Sequence, residues 1–163
     1  METSSDTTKA AELQPRIREL IDYIDLHRRQ FCDAGASVPA RLHGIKPGEG
    51  RWSVSDVVEH VSLVEQRIAA LLTARVAAAR ERGVGPDPET SSVVDSFQNP
   101  EAVTGRTRKL VAPTPALPTG AVDAAAGMEA LTRSRALMIT SLHNANGVAL
   151  GGLVQTHPVL GAM

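Results

Sequence analysis

Apolar side chains recur at three- and four-residue steps in three stretches of the chain, the spacing that places them on one side of an α-helix. The first stretch covers residues 10–33. Its apolar positions are Leu13, Ile17, Leu20, Ile24 and Phe31. His27 fills the remaining slot of this seam, and Pro15 falls near the first turn, where proline is tolerated. The pattern predicts an amphipathic helix with a heptad-like seam.

A second helix is predicted over residues 54–82. Ser53 is placed as its N-cap, and Asp56 follows three residues later in a position typical of a capping box. Gly83 and Gly85 are the expected stop signals. Its apolar stripe is predicted at Val57, Val61, Val64, Ile68 and Leu71 or Leu72, and it continues weakly through an alanine-rich end to Val76.

A third helix is predicted over residues 121–143, with Met128, Leu131, Met138 and Leu142 as its apolar stripe and Arg135 in an inward slot. The connection before it, residues 83–120, carries six of the ten prolines and has room for a short helix at 101–109. Residues 144–163 are rich in glycine and show no further helix pattern. No strand pattern is convincing, so the sequence predicts an all-α helical bundle with three main helices.

Length and composition are consistent with this fold class. The chain has 163 residues, enough for one domain with a sizeable core, and we expect a disordered leader over residues 1–9 and a single domain over 10–163. Hydrophobic residues make up 42% of the chain, but aromatic residues only 2%. The core must therefore be built mainly from aliphatic side chains, which pack naturally between helices.

Charge and cysteine content exclude several classes of function. The 17 basic and 18 acidic residues give a net charge of -1, which offers no basic footprint for nucleic acid or an anionic membrane surface. The N-terminus lacks the apolar region of a secretory signal, and no apolar run is long enough to cross a membrane. With Cys32 as the single cysteine, no intrachain disulfide can form. We therefore expect a cytoplasmic protein without nucleic-acid or membrane partners.

Three sequence features resemble the DinB/YfiT-like family of four-helix-bundle metalloproteins. A Pro-Gly loop at Pro47-Gly48 leads through Trp52-Ser53 into a helix that carries His60. A long proline-bearing connection follows that helix. The segment His157-Pro158-Val159-Leu160-Gly161 is similar to the His-Pro-Phe-Gly turn that leads into the family's last helix. Together with the helix order, these features cover nearly the whole chain.

The resemblance implies an up-and-down bundle that holds a divalent metal, zinc or nickel, on three histidines. One ligand comes from the second helix, and here it maps onto His60. The other two form an i, i+4 pair on the last helix, which this sequence lacks, so the expectation is a DinB-like domain that is truncated at its C-terminus. Family members resemble thiol-dependent S-transferases and hydrolases, which implies a small thiol as cofactor and a small-molecule substrate.

Other residues are weaker candidates for the site. His27 lies on the predicted seam of the first helix and could face His60 across the bundle as a second metal ligand. Arg135 could bind an anionic substrate or a thiol cofactor, or it could pair with a carboxylate. Glu59 is adjacent to His60, so it should point about 100° away around the helix, toward solvent.

Two further functions stay open, because only one ligand of the family site is carried over. The first is a non-catalytic helical module that binds a partner, or forms a homodimer, through the groove that the missing helix would leave. The second is an enzyme whose site is built in a dimer from His60 of one chain and His27 of the other. Metal content and oligomeric state distinguish these functions.

Overall fold

A computed structural model describes residues 12–96 and 111–153, together with the backbone of residues 156–157 and 161–162. Three helices dominate this part of the chain: α1 (Pro15–Ala36), α2 (Val54–Glu81) and α3 (Ala124–Asn144). Short 3-10 turns lie at Ala40–Leu42, Val94–Ser96, Thr114–Ala116 and Leu150–Gly152. The predicted all-helical bundle is confirmed. The short helix predicted at residues 101–109 falls outside the described residues.

Two very short strands near the C-terminus were not predicted from the sequence. Strand β1 (Thr156–His157) pairs antiparallel with β2 (Gly161–Ala162), with Thr156 opposite Ala162 and His157 opposite Gly161. A ladder of two residues on each side is too short to produce the alternating pattern by which strands are recognised in a sequence.

Helix α1 begins later than its apolar periodicity predicted. Pro15 occupies the first turn, and the side chain of Gln14 accepts hydrogen bonds from the backbone N–H groups of Arg16 and Ile17. Proline suits this position because its missing N–H would have no partner inside the helix. The amide side chain of Gln14 therefore satisfies donors that the helix leaves open at its start.

Helix α2 has the boundaries that its local signals predicted. The Ser53 hydroxyl accepts from the Asp56 N–H at 3.1 Å, and the Asp56 carboxylate accepts from the Ser53 N–H at 2.9 Å, which completes a capping box. Burial alone would raise the pKa of Asp56, but the hydrogen bonds from Ser53 and the nearby Lys46 outweigh it and lower that pKa. Gly83 ends the helix with φ of 72°, a conformation that favours glycine.

Helices α2 and α3 pack closely against each other along their length. The two helices come close at Gly127, where a Cβ atom would lie 3.0 Å from Cγ1 of Val58. Small buried residues continue the contact on both helices: Ser62, Ala69, Ala79, Ser134 and Ser141. Helix α3 itself starts at Asp123, whose carboxylate accepts from the Ala126 N–H at 2.8 Å.

The buried face of α2 differs from the predicted stripe. Val57, Val61 and Val64 are only half-buried, and Ile68 and Leu71 are exposed at 48% and 40%. The buried residues of α2 are Ser55, Asp56, Val58, Glu59, Ser62, Glu65, Ala69, Val76 and Ala79. Of the predicted stripe, only Val76 is among them. The large apolar side chains of α2 were predicted to lie at the helix interface. Small residues occupy the interface instead, because they allow the two helices to pack closely. On α3 the predicted Leu131, Met138 and Leu142 are buried, as expected.

Helix α1 lies against this pair more loosely. Its buried side chain is Ile17, while Leu13, Leu20, Ile21 and Ile24 are partly buried against the core. That core is formed mainly by α2, α3 and the turn after α3, and contains Ile17, Ala69, Val76, Ala79, Met138, Leu142, Ala145 and Val148. Of the helices in the described ranges, none is long and apolar enough to cross a membrane.

Candidate functional site

His60, the ligand position that the resemblance implies, is half-buried on the second turn of α2. Its Nδ1 lies 2.6 Å from the carbonyl oxygen of Ala116, a buried residue of the segment that leads to α3. The ring of Trp52 packs against the imidazole with centroids 4.8 Å apart and planes tilted by 51°. The imidazole is therefore held on one edge by a hydrogen bond and on one face by an aromatic ring.

The hydrogen bond to Ala116 also determines where the imidazole carries its hydrogen. A backbone carbonyl can only accept, so Nδ1 of His60 must be the donor. In the neutral ring, Nε2 then keeps its lone pair, and among the described residues it has no hydrogen-bond partner. An Nδ1–H bonded to a carbonyl is the arrangement that orients metal-binding histidines.

Glu59 is buried, which corrects the prediction that it lies on a solvated face. Only 5% of its surface is exposed, and Oε1 accepts a hydrogen bond from the Thr119 hydroxyl at 2.8 Å. The prediction was wrong because Thr119 comes from a segment about 60 residues away along the chain, which helix geometry alone could not reveal. Oε2 is buried without a hydrogen-bond partner in the described part of the chain.

Glu59 and His60 thus both attach the segment before α3 to helix α2. Both side chains bind the segment between residues 111 and 122, one through Thr119 and the other through the carbonyl of Ala116. Two adjacent helix residues point in different directions, so together they hold this segment at two places. The connection before α3 is in this way fixed to the first half of α2.

The structure does not bring His27 to His60. His27 is exposed, its Nδ1 lies 3.0 Å from the side-chain oxygen of Gln30, and its ring contacts the edge of Tyr23 at 4.3 Å. The seam prediction failed for His27 because the C-terminal half of α1 is not covered on that side. His143 is exposed as well.

The two other histidines of the sequence, His43 and His157, supply no further metal ligand beside His60 in the described residues. Nε2 of His43 lies 2.7 Å from the carbonyl of Val38, and the side chain of His157 is outside the described residues. Within residues 12–96 and 111–153, no group of three or more His, Cys, Asp or Glu side chains is arranged to hold a metal ion. Backbone carbonyls thus orient the imidazoles of both His43 and His60, and neither imidazole belongs to such a group in the described residues.

Arg135 points inward, as predicted, and forms the carboxylate pair that was one of its two expected roles. Its Nη2 donates to Oε1 of Glu65 at 2.5 Å, and Nη1 lies 3.6 Å from the carboxylate of Asp25. The Ser134 hydroxyl donates to Oε2 of Glu65 at 2.8 Å, and Arg28 lies 3.8 Å from the same oxygen. We call Asp25, Arg28, Glu65, Ser134 and Arg135 the junction network, because it joins all three helices.

The junction network was not recognised from the sequence. A signal for Glu65 was present in the sequence. Glu65 lies seven residues after Val58 and four before Ala69, a helical spacing that places all three residues on the same, buried face of α2. Arg28 had no comparable signal, because its role depends on a hydrogen bond from Nη1 to the carbonyl of Leu131 on another helix. Its Nε also lies 3.1 Å from Sγ of Cys32, which explains the half-buried position of that thiol.

An apolar groove lies between α1 and the α2–α3 pair. Its volume is about 440 Å³, and it is open to solvent on one side, where Ile68 and Leu71 are exposed. Its lining comes from all three helices and the turn after α3: Leu20, Ile24, Glu65, Ile68, Leu71, Leu72, Arg75, Arg135, Met138, Leu142, Leu150 and Leu153. We call this the apolar groove. It ends at the junction network, with which it shares Glu65 and Arg135.

A larger cavity, about 770 Å³, lies where the N-termini of α2 and α3 approach each other. Its lining includes Lys46, Asp56 and Asp123. Both carboxylates already accept hydrogen bonds from helix N–H groups, and Lys46 lies 3.7 Å from Asp56. These contacts satisfy the two carboxylates from within the chain. His43, whose Nε2 is bonded to the Val38 carbonyl, also lines this cavity.

Comparisons with known proteins give no independent assignment. No family model matches the chain, and no curated protein or solved structure is significantly similar to it.

Proposed function

We propose that this protein is a DinB-like helical-bundle protein in which His60 supplies one ligand to a divalent metal through Nε2. The observation that supports the proposal is the hydrogen bond from Nδ1 to the carbonyl of Ala116, which orients the ring and leaves Nε2 with a lone pair. Among the described residues Nε2 has no hydrogen-bond partner, so its lone pair is available to a metal ion.

The described residues supply one metal ligand, His60, and not a complete set of ligands. A catalytic zinc site commonly has three protein ligands and one open position. Here the other positions would be filled by water, by residues outside the described ranges or by a second copy of the chain. When bound, zinc or nickel would supply a Lewis acid for transfer to a small thiol or for hydrolysis of a small-molecule substrate, the activities that the resemblance implies.

The metal proposal can be tested with the chain's own tryptophan. Trp52 is the single tryptophan of the sequence, and its ring lies 4.8 Å from that of His60. Titration with Ni²⁺ should quench its fluorescence, and elemental mass spectrometry of protein purified without chelators or a histidine tag should find zinc or nickel. A saturating quench with a midpoint in the micromolar range would support the assignment.

Two histidine variants separate a site at His60 from weak binding elsewhere. His60→Ala should abolish the saturating quench and the bound metal, whereas His27→Ala should change neither, because His27 is exposed and bonded to Gln30. Far-ultraviolet circular dichroism of both variants checks that the helices remain. If His60→Ala keeps its metal content and its quench, the ligand assignment is wrong.

The second candidate function is non-catalytic binding through the apolar groove, including formation of a homodimer. The exposure of Ile68 and Leu71 on its rim favours this function, because monomeric proteins rarely leave contiguous apolar surface uncovered. Light scattering across a range of protein concentrations tests the homodimer. A species that stays monomeric throughout would exclude the homodimer and leave a different occupant for the groove.

A further inference from the structure

A buried hydroxyl on the wall of the larger cavity has no hydrogen-bond partner. This cavity of about 770 Å³ shares no lining residue with the apolar groove. Ser55 lines it from the first turn of α2 and is only 7% exposed. Among the described residues its Oγ forms no hydrogen bond, and it is not one of the unpaired atoms that are sealed from solvent. The hydroxyl is therefore accessible from the cavity, where a ligand could supply the missing partner.

The start of α3 adds backbone donors to the same cavity. Asp123 accepts from the Ala126 N–H through its side chain and from the Gly127 N–H through its carbonyl. The N–H groups of Ala124 and Ala125 have no partner in the described part of the chain, and both residues line the cavity. The first N–H groups of a helix need acceptors from outside the helix. Helix α3 therefore places two unpaired donors at the cavity wall.

His43 adds an acceptor. The Val38 carbonyl can only accept, so Nε2 of His43 carries the hydrogen, and in the neutral ring Nδ1 keeps its lone pair. Nδ1 has no hydrogen-bond partner among the described residues. The Ser55 N–H donates to the backbone carbonyl of His43 at 2.9 Å, which holds the loop that carries the imidazole beside the start of α2. Unpaired donors and an unpaired acceptor thus occur together around one cavity.

The charges around the cavity nearly cancel. Lys46 lies 3.7 Å from the carboxylate of Asp56, and the two form an ion pair. The carboxylate of Asp123 has no ion-pair partner in the described residues and leaves one negative charge. The N-termini of α2 and α3 each carry a positive partial charge of roughly half a unit, and together these offset it. Neither an anion nor a cation gains from this balance, which favours an uncharged ligand.

We propose that this cavity binds an uncharged polyhydroxyl compound, a sugar or a sugar alcohol. Its hydroxyl groups would bind Ser55, His43 and the N–H groups of Ala124 and Ala125. A hydroxyl both donates and accepts, so one class of ligand matches the donors and the acceptor on this wall. The volume of about 770 Å³ is in the range of small-ligand sites. The side chain of Met128 supplies apolar surface for the carbon skeleton.

The test is NMR titration of the isotope-labelled full chain with three compounds that share a polyhydroxyl skeleton. Sorbitol is uncharged, gluconate is an anion and glucamine is a cation. Sorbitol should saturate one site, shift the amide signals of Ser55, Ala124 and Ala125, and bind more tightly than the other two. Ser55→Ala should weaken sorbitol binding about fivefold, the effect of one hydrogen bond between neutral groups. Ser62→Ala is the matched control, because Ser62 is a buried serine of α2 that does not line the cavity, and it should leave the affinity unchanged.

A charge variant tests the reason for an uncharged ligand. Asp123→Asn keeps a residue that can cap α3 but removes the negative charge that has no ion-pair partner. Gluconate should then bind about tenfold more tightly than it binds the unaltered chain, because the helix N-termini are no longer offset. The affinity for sorbitol should change much less.

Three outcomes would overturn the proposal. Tighter binding of gluconate than of sorbitol to the unaltered chain would make the cavity an anion site. Equal sorbitol affinities of Ser55→Ala and Ser62→Ala would show that the ligand does not bind the Ser55 hydroxyl. If none of the three compounds binds, the cavity is not a site for polyhydroxyl ligands. The metal content at His60 is measured separately and does not depend on any of these results.

Discussion

Helix α2 presents two faces that differ in composition and in packing. The face toward α3 carries mainly small and polar residues, among them Ser62, Glu65 and Ala69, and it is buried. The face toward the apolar groove carries larger apolar residues such as Ile68 and Leu71, and it is partly exposed. The more hydrophobic face is thus the less buried one. The difference shows that close approach of helices, and not hydrophobicity alone, determines which face of α2 forms the interface.

The buried serine hydroxyls Ser62, Ser134 and Ser141 at the α2–α3 interface are compatible with burial because they form hydrogen bonds. Ser62 donates to the carbonyl of Glu59, and the Ser141 hydroxyl lies 2.9 Å from that of Thr73. Each buried hydroxyl therefore replaces the hydrogen bonds it would make to water. On the groove side, Ile68, Leu71 and Leu72 have no polar side-chain atoms that need a hydrogen-bond partner.

The largest effect is expected where the two faces meet, at the junction network. Glu65→Leu removes the carboxylate that pairs with Arg135 and Arg28 and leaves two guanidinium groups largely buried. Removing one partner of a buried ion pair typically costs about 3–5 kcal/mol of stability, and urea denaturation should show a loss of this size. Glu129→Ala, which breaks an exposed pair with Arg133, should cost less than about 0.5 kcal/mol. Similar losses for both variants would contradict a structural role for the network.

A smaller effect is expected at the close contact of α2 and α3. In Gly127→Ala the new methyl group would lie 3.0 Å from Cγ1 of the buried Val58, whose branched side chain has little room to move. The strain should outweigh the gain in helix propensity and destabilise the protein by about 1 kcal/mol. Gly35→Ala on α1 meets no atom within 4 Å and should stabilise it by about 0.5 kcal/mol. Thermal unfolding tests both predictions: the melting temperature should fall in Gly127→Ala and rise in Gly35→Ala.

The smallest effect is expected on the groove side of α2. Ile68 is 48% exposed, so Ile68→Ala should cost less than about 1 kcal/mol, well below the 2–5 kcal/mol typical of a core position. Leu131→Ala on α3, a fully buried site, provides that reference. Chemical denaturation of the two variants compares them directly. A loss at Ile68 as large as the loss at Leu131 would mean that the groove is covered by something else in solution.

The features that could be predicted from the sequence are those with local causes. Ser53 and Asp56 cap α2, Gly83 ends it, and Pro15 lies in the first turn of α1, because each signal acts within a few residues. The all-helical class followed from periodicity in the same way. The predicted starts of α1 and α3 precede the caps Gln14 and Asp123, and α1 extends to Ala36, three residues past its predicted end.

The features that could not be predicted depend on residues distant in sequence. Glu59 is buried because Thr119 covers it, and Glu65 is neutralised by Arg28 and Arg135 from two other helices. The predicted buried face of α2 was wrong because the prediction followed the large apolar residues and did not consider serine and alanine as buried residues. For the candidate site, the position of His60 could be predicted, but its hydrogen bond to a residue 56 positions away could not.

The packing of α2 against α3 has a consequence for how the chain folds. These helices are separated by the long connection from Arg82 to Asp123, and they form the main interface of the protein. Their contacts therefore become available only after a large loop has closed, and closure reduces the entropy of the chain before the interface can compensate for it. A bundle whose packed helices are joined by short connections closes smaller loops and loses less entropy at this step. We expect this chain to fold more slowly than such a bundle of equal size.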